Sequence, residues 1–249
     1  MDTNIIIIGA GVVGLSIAKE LSAYFPDVYL IEKNNTFGQE TSSRNSEVIH
    51  SGIYYPNGSL KATLCVEGKK LLYDYCEKNE ITHKKIGKLV VSTNDLEDQQ
   101  LLSILQKAKE NNVDDAKLLK LEEIRQLEPN IIATSAIYFP STGIIDSFGL
   151  MKQLETDAIR NGAQIIYNGE VTNIKKIDNG YEIIIHDSSG TYSFTTNIVI
   201  NAAGLYSDKI AEMVGIKDES YSLHYWKGEY FSVGNGKSKQ LQHLVYPVP

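Results

Sequence analysis

The sequence predicts an α/β fold in which a Rossmann-type domain is interleaved with a second, mixed α+β domain. A glycine-rich turn at residues 9–14 lies between a β-branched run and a helical pattern. The alternation of strands and helices stops near residue 85 and resumes near residue 146. Because this pattern is interrupted, we expect two domains built from discontinuous pieces: 1–85 plus 146–218, and 86–145 plus 219–249.

The first elements form a βαβ unit. Residues 4–9 are a nearly continuous β-branched run, as expected for a parallel strand that is buried on both faces. Residues 11–25 change to helical spacing, and Pro26 ends the helix. A second strand follows at 28–33. The order of strand, glycine turn, helix and strand is typical of nucleotide-binding domains.

The rest of the chain contains further predicted helices and short strands. Residues 34–59 are polar and rich in Ser, Asn and Gly, which indicates a long loop of the kind that carries function. The predicted helices are 61–80, 96–112, 121–129, 147–161 and 205–214. The predicted strands are 87–93, 136–146, several short ones within 164–187, and 197–204, and strand composition returns at 221–233 and 244–249.

The turn Gly9-Ala10-Gly11-Val12-Val13-Gly14 has the spacing of a dinucleotide-binding loop. Gly9 permits the tight turn, Gly11 lets the backbone approach a pyrophosphate, and Gly14 lets the helix pack closely on the sheet. The start of the helix offers free N–H groups to the phosphates. Glu32, at the end of the second strand and next to Lys33, is placed to accept hydrogen bonds from ribose hydroxyls. By itself this motif does not distinguish FAD from NAD.

Composition and charge exclude several classes of protein. The chain has 249 residues, of which 42% are hydrophobic and 22% charged, and its formal net charge of −7 argues against general nucleic-acid binding. Cys65 and Cys76 are too few for a disulfide framework, and neither cysteine nor histidine spacing fits a metal site. The apolar start follows Asp2 and is interrupted by glycines, which argues against a signal peptide or a membrane span. We expect a cytoplasmic protein, with peripheral attachment to the inner face of the membrane left open.

Several segments resemble a known superfamily of flavoproteins. The segments ETSSRNSEVIHSGIYYP (40–56) and NAAGLYSD (201–208) resemble D-amino-acid-oxidase-like flavoproteins. Within that superfamily, the block 42–78 closely resembles the L-2-hydroxyglutarate dehydrogenase/oxidase family, and GKLVVST, WKGEYF and LVYPVP match in order. The resemblance covers essentially the whole chain. It implies an FAD-binding domain, a substrate domain, and oxidation of the small dicarboxylate L-2-hydroxyglutarate to 2-oxoglutarate by hydride transfer to flavin N5, with a quinone or oxygen as electron acceptor.

The resemblance also implies which residues contact the cofactor. The residues beside its phosphates and flavin are Ser42, Ser43, Arg44, Asn45 and Ser46, and those near the isoalloxazine are His50, Ser51 and Gly52. The backbone of Val171 would contact the adenine side. The strand end that approaches the dinucleotide consists of Ala202, Ala203 and Gly204. The residues alone agree in part, because hydroxyl and guanidinium donors suit a phosphate. A capped, solvated helix at 42–46 and a tight strand–helix turn at 202–204 are the alternatives.

The substrate side rests on fewer residues. A histidine near neutral pKa, His50, could accept the proton of the substrate hydroxyl, and the alternative is a structural histidine. The cations that a dicarboxylate needs could come from Arg44, Lys61 or Lys227, and the hydroxyl of Tyr54 or Tyr55 could donate a hydrogen bond. For the two lysines, a solvated position on the surface is the alternative.

Other functions stay open. Family members are longer, so the resemblance implies a further segment after Pro249 that completes the substrate domain. A related flavoprotein acting on glycerol 3-phosphate or an amine, and an inactive FAD-binding fragment, are the alternatives. An NAD-dependent dehydrogenase is a less favoured alternative, because the serine-rich segment 41–46 would have no role in such an enzyme.

Overall fold

The computed structural model describes residues 1–234 and 240–249. The chain divides into two compact units. The first consists of Met1–Ser46 and Ser147–Lys227, and the second of Glu47–Asp146 and Gly228–Pro249. The predicted α/β class, with mixed sheets, is confirmed.

Over the described residues the chain forms six α-helices and thirteen strands. The helices are α1 (Val12–Ser22), α2 (Leu60–Lys78), α3 (Asp95–Glu110), α4 (Leu121–Leu127), α5 (Ser147–Arg160) and α6 (Ser207–Met213). The strands are β1 (Thr3–Ile8), β2 (Val28–Ile31), β3 (Val48–Ile49), β4 (His83–Lys84), β5 (Lys88–Ser92), β6 (Lys117–Leu119), β7 (Ser135–Phe139), β8 (Gly143–Ile145), β9 (Gln164–Ile166), β10 (Glu170–Ile177), β11 (Gly180–Asp187), β12 (Gly190–Asn201) and β13 (Leu244–Pro247). Short 3-10 helices cover Thr41–Ser43, Gly204–Tyr206 and Glu219–Tyr221.

The first unit is built on one sheet. Among its described strands the order is β10-β11-β12-β1-β2-β9. Strand β1 pairs in parallel with β12 on one side and β2 on the other, whereas β10, β11 and β12 form an antiparallel meander. Strand β1 is almost wholly buried, as its β-branched sequence predicts. Because β12, β1 and β2 run in parallel, their carboxyl ends lie at the same edge of the sheet, where ligands bind in open α/β sheets.

The second unit contains two smaller sheets. Their orders over the described residues are β13-β5-β7-β6 and β3-β8-β4. All five residues of β5 are buried. Val90 packs against Leu101 and Ile104 of α3 on one face of the larger sheet, and Leu89 packs against Ile124 of α4 on the other. The first residue of β5, Lys88, therefore begins a strand that is enclosed on both faces.

Three local expectations differ from the structure. Residues 47–85 and 146, which we expected in the first domain, lie in the second unit, because β3 and β4 both pair with β8. Residues 219–227, which we expected in the second domain, lie in the first unit. Strand β12 begins at Gly190 rather than 197, because it continues the meander from β11. The expected strand at 221–233 is wrong: it is irregular after the 3-10 helix and has no strand partner among the described residues, and Trp226 is 94% exposed. Strand composition gives a strand only where the backbone finds a partner.

Candidate dinucleotide-binding site

The turn after β1 requires glycine for steric reasons. Gly9 has φ +104°, and a Cβ added there would lie 2.6 Å from the carbonyl oxygen of Ala202. A Cβ on Gly14 would lie 1.9 Å from the carbonyl oxygen of Gly9. The amide of Ala202 donates to the Ile8 carbonyl at 2.9 Å. The chain therefore brings the turn, the start of α1 and the end of β12 into direct contact.

The first turn of α1 has one polar side chain beside it. Gly11 is the N-cap residue of α1 and has no side chain that could cap the helix. The Val12 amide instead donates to Ser42 Oγ at 3.0 Å. The hydroxyl proton of Ser42 has no acceptor within the described chain. Helix amides and a free hydroxyl donor at the same point are suited to an anion such as a phosphate.

Glu32 links the glycine turn to the segment that follows β2. Its side chain is buried, and Oε2 accepts the Ala10 amide at 2.8 Å. Oε1 accepts the Asn34 amide at 2.9 Å and Asn34 Nδ2 at 2.8 Å. A carboxylate offers about four acceptor positions, so about one remains for a ribose hydroxyl. Glu32 thus fixes the loop and keeps some capacity for a ligand.

Lys33 is held by protein groups. Its Nζ lies 3.0 Å from Glu40 Oε1 and 3.7 Å from the centroid of the Tyr206 ring. Partial burial opposes the charged form of Lys33, but the hydrogen bonds to Glu40 and Tyr206 outweigh it and raise the pKa. The same bond lowers the pKa of Glu40. This pairing connects the residues after β2 with Glu40, just before the segment 41–46, and with Tyr206.

The segment 42–46 contains the expected polar groups, each in a different situation. Ser43 Oγ donates to the Glu40 carbonyl at 2.9 Å, and Asn45 Nδ2 donates to the Ser42 carbonyl at 2.7 Å. Arg44 is exposed, and its side chain makes no hydrogen bond or ion pair among the described residues. Ser46 is also exposed. Of this segment, Ser42 and Arg44 retain donors that a phosphate could use.

The remaining cofactor candidates of this unit contribute backbone. Val171 is buried in the core with Ile6, Ile31 and Ile185, so only its main chain can meet a ligand. It adjoins an irregular step in the β10–β11 pairing. Ala202 and Ala203 are half-buried at the end of β12, and Gly204 begins a 3-10 helix with φ +54°.

These residues fit the FAD that the resemblance implies. A Cβ on Gly11 would meet Ser42 Oγ at 3.0 Å and no other atom of the described chain within 4 Å, so the space in front of this backbone is open. The turn, Glu32 and Ser42 offer amide donors, one acceptor position and one hydroxyl donor. Those are the groups that a pyrophosphate and a ribose need.

The other expected residues lie in the second unit, except Lys227. His50 is solvent-exposed on one side, while partial burial and, to a smaller extent, the charge of Lys88 lower its pKa from 6.5. Ser51 is buried, and its Oγ lies 3.2 Å from Thr142 Oγ1. At neutral pH His50 is therefore an uncharged imidazole that can accept a proton.

The candidate substrate residues differ in exposure. Tyr54 is half-buried, and burial raises its pKa to about 12. Lys61 is exposed, with Nζ 4.6 Å from the centroid of the Tyr55 ring. Lys227 is exposed and belongs to the first unit.

Lys88 was missed in the sequence. It is 1% exposed, and Tyr54, Tyr246 and Phe139 surround its ammonium group. The available signal was a lysine at the start of an apolar strand, GKLVVST, because a lysine is rarely fully buried unless it is paired.

Two kinds of feature are absent from the described residues. No group of three or more His, Cys, Asp or Glu side chains there could hold a metal ion. No helix of the described chain combines the length and apolar character needed to cross a membrane.

Comparison with known proteins gives consistent matches. The family model "DAO: FAD dependent oxidoreductase" matches residues 4–249. The chain is 35% identical to the mitochondrial L-2-hydroxyglutarate dehydrogenase of Arabidopsis thaliana, over 98% of this chain and 56% of that protein. It is 33% identical to a glycerol 3-phosphate dehydrogenase of Caloramator mitchellensis, over 99% of this chain and 50% of that protein.

A solved structure matches as well. The L-alpha-glycerophosphate oxidase of Mycoplasma pneumoniae, dithionite-reduced and with FAD bound, superposes with a TM-score of 0.84. Its sequence is 31% identical, and the match covers 100% of this chain and 66% of the oxidase. The chain thus spans between half and two thirds of the length of these three proteins.

Proposed function

Since this chain belongs to the family of FAD-dependent oxidoreductases, we propose that it oxidises a 2-hydroxy acid, L-2-hydroxyglutarate, to 2-oxoglutarate. The observation that carries the substrate assignment is the likeness to the L-2-hydroxyglutarate dehydrogenase of Arabidopsis thaliana over nearly the whole chain. The histidine that the chemistry needs is present and has a lowered pKa.

Most of the residues that would hold FAD belong to the first unit. The turn at Gly9, Gly11 and Gly14 presents the amides of α1 to the pyrophosphate, with the Ser42 hydroxyl beside them. Glu32 would accept a ribose hydroxyl. The other proposed contacts are Lys33, Ser43, Arg44, Asn45, Ser46, Val171, Ala202, Ala203 and Gly204 of this unit, and His50 and Ser51 of the second unit.

FAD, when bound, supplies the acceptor for the hydride that leaves the substrate Cα. The task of the protein is to remove the hydroxyl proton as the hydride departs. We assign this task to Nδ1 or Nε2 of His50, because the pKa shift keeps the ring neutral and ready to accept a proton at physiological pH. Tyr54, Tyr55, Lys61 and Lys227 remain proposed substrate contacts, and a quinone or oxygen the proposed electron acceptor.

Anaerobic spectroscopy tests the proposal. Purified, FAD-loaded protein is mixed under nitrogen with L-2-hydroxyglutarate, and the flavin absorbance is followed. We expect bleaching with the L enantiomer and much slower bleaching with the D enantiomer, which serves as the matched control. An unchanged spectrum with the L enantiomer would remove the substrate assignment.

A second candidate is oxidation of glycerol 3-phosphate. It is favoured by the likeness to the Caloramator mitchellensis dehydrogenase and to the Mycoplasma pneumoniae oxidase, at 33% and 31% identity. Both substrates are secondary alcohols that carry anionic groups, so the same base could serve either. Comparing flavin reduction by glycerol 3-phosphate and by L-2-hydroxyglutarate in one experiment separates them: the faster reductant identifies the substrate.

A further inference from the structure

Lys88 is a buried cation enclosed by aromatic rings. Its Nζ lies 4.8 Å from the Tyr54 ring centroid, 5.1 Å from that of Tyr246 and 5.7 Å from that of Phe139. The residue is 1% exposed at the start of β5, where it pairs with Phe139 of β7 and Leu244 of β13. Ring faces stabilise an ammonium group without neutralising it.

No carboxylate of the described residues pairs with Lys88. Among the described residues it makes no ion pair and no hydrogen bond through Nζ. Lys88 is among the largest fully buried side chains of the described residues. A buried charge is normally paired, because desolvation costs several kcal/mol. The described chain therefore provides no anion to pair with the Lys88 ammonium group.

The titratable side chains that interact with Lys88 or with its neighbour Cys65 are positive or neutral. Its charge acts on His50 and on Cys65, and Lys61 and Lys69 act on Cys65 as well. Burial raises the pKa of Tyr54 to about 12, and it also raises the pKa of Tyr246. Both phenols therefore stay protonated and can donate hydrogen bonds. A cation and hydroxyl donors together suit a carboxylate.

We propose that Lys88, with the hydroxyls of Tyr54 and Tyr246, binds a carboxylate group of the substrate in the second unit. This subsite rests on the proposed function, because a dicarboxylate needs cationic partners. It also accounts for a lysine that would otherwise be buried without compensation. Lys88 is the positioning and specificity residue, and the proton transfer remains with His50.

The test is a binding measurement that does not depend on oxidation. Glutarate, a dicarboxylate without the hydroxyl group, is titrated into the FAD-loaded protein by isothermal calorimetry. The variants are Lys88→Met, which removes the charge at similar volume, and Lys70→Met, which removes an exposed lysine of α2 as a matched control. Truncating one partner of a buried charged pair is expected to weaken binding about tenfold or more.

The outcomes decide the proposal. Weaker glutarate binding by about tenfold in Lys88→Met, with wild-type binding in Lys70→Met, supports it. Equal affinity of Lys88→Met and wild type overturns it, as does absence of glutarate binding to wild type.

A measurement on the wild type covers the case in which Lys88→Met does not fold. Burial lowers the pKa of Lys88 to about 8, so Lys88 loses its proton between pH 7 and pH 9. Its neighbours do not compete in this window, because burial raises the pKa of Cys65, Tyr54 and Tyr246 and His50 is already neutral. We expect glutarate affinity to fall several-fold across this window. A flat profile overturns the subsite.

This result is separable from the proposed function. If glutarate binds through Lys88 but L-2-hydroxyglutarate does not bleach the flavin, the oxidised substrate is wrong and the carboxylate subsite stands. If L-2-hydroxyglutarate bleaches the flavin but Lys88→Met binds glutarate normally, the function stands and the subsite is wrong.

Discussion

Glu32 Oε2 accepts a hydrogen bond from the backbone amide of Ala10 at 2.8 Å. The acid at the end of β2 therefore fixes the conformation of the glycine turn at the end of β1. Its other oxygen holds Asn34, so one buried carboxylate organises two loops. Because the proposed ribose contact and the loop support come from the same side chain, we expect cofactor affinity and stability to be coupled at this residue.

Replacing Glu32 by Gln should weaken both properties. The single carbonyl oxygen of Gln can accept from Ala10 or from Asn34 but not from both, and its NH2 group would face the other donor, which leaves buried groups unpaired at about 1–3 kcal/mol. We expect FAD affinity to fall at least tenfold and the free energy of unfolding to fall by about that amount. Fluorescence titration with FAD and urea denaturation measure the two effects. Glu20→Gln, an exposed acid of α1, is the control and should behave as wild type.

Gly11→Ala and Gly9→Ala should separate binding from folding. Gly11 has φ −74°, which alanine adopts readily, so the variant should fold with a small change in melting temperature. Its new Cβ would occupy the open space in front of the backbone, so FAD affinity should fall by an order of magnitude or more. Gly9→Ala would clash with the Ala202 carbonyl and should lower the melting temperature strongly. Equal FAD affinity of Gly11→Ala and wild type would argue against a pyrophosphate at this turn.

The glycine spacing, the first βαβ unit and the buried β1 strand could be predicted because local pattern and tertiary structure agree there. The strand expected at 221–233 failed because pairing depends on a partner that composition does not reveal. Lys88 was missed for a related reason: the rings of Tyr54 and Tyr246 that surround it come from distant parts of the chain. The bond between Ser42 and the Val12 amide likewise depends on how the segment 41–46 returns to α1.

His50→Gln should slow flavin reduction without removing FAD. Loss of a general base typically reduces the rate by about 10²–10⁴-fold. The lowered pKa of His50 also has a pH signature: the rate should fall only when the pH drops through a value below 6.5, where the imidazole gains its proton. Anaerobic stopped-flow across pH 5–8 measures both. His186→Gln, at an exposed position of β11, should leave the rate unchanged.

Lys88→Met should stabilise the protein at neutral pH. Burial lowers the pKa of Lys88 from 10.5 to about 8, which corresponds to a cost of roughly 3 kcal/mol for the charged form. Below pH 8 both folded and unfolded chains carry the proton, so the full cost is present. Between pH 8 and pH 10.5 the folded protein releases the proton first, so the stability of the wild type rises with pH. The advantage of Lys88→Met should therefore shrink over this window.

Urea denaturation at pH 7, 9 and 10 checks this prediction. Other groups that titrate in the same range cancel in the difference between variant and wild type. Lys70→Met should show no such dependence, because its side chain is exposed. A Lys88→Met protein that is less stable than wild type at pH 7, with a difference independent of pH, would contradict the account of a buried, uncompensated charge.

The most direct test of the central claim is a titration of flavin-stripped protein with FAD in the presence of excess NAD. Because the first unit combines an open glycine backbone, the free hydroxyl donor of Ser42 and the remaining acceptor position of Glu32, we predict saturation at one FAD per chain, with a dissociation constant in the micromolar range or tighter and no displacement by NAD. Failure of FAD to saturate the correctly folded protein, or its displacement by NAD, would contradict the assignment of this site.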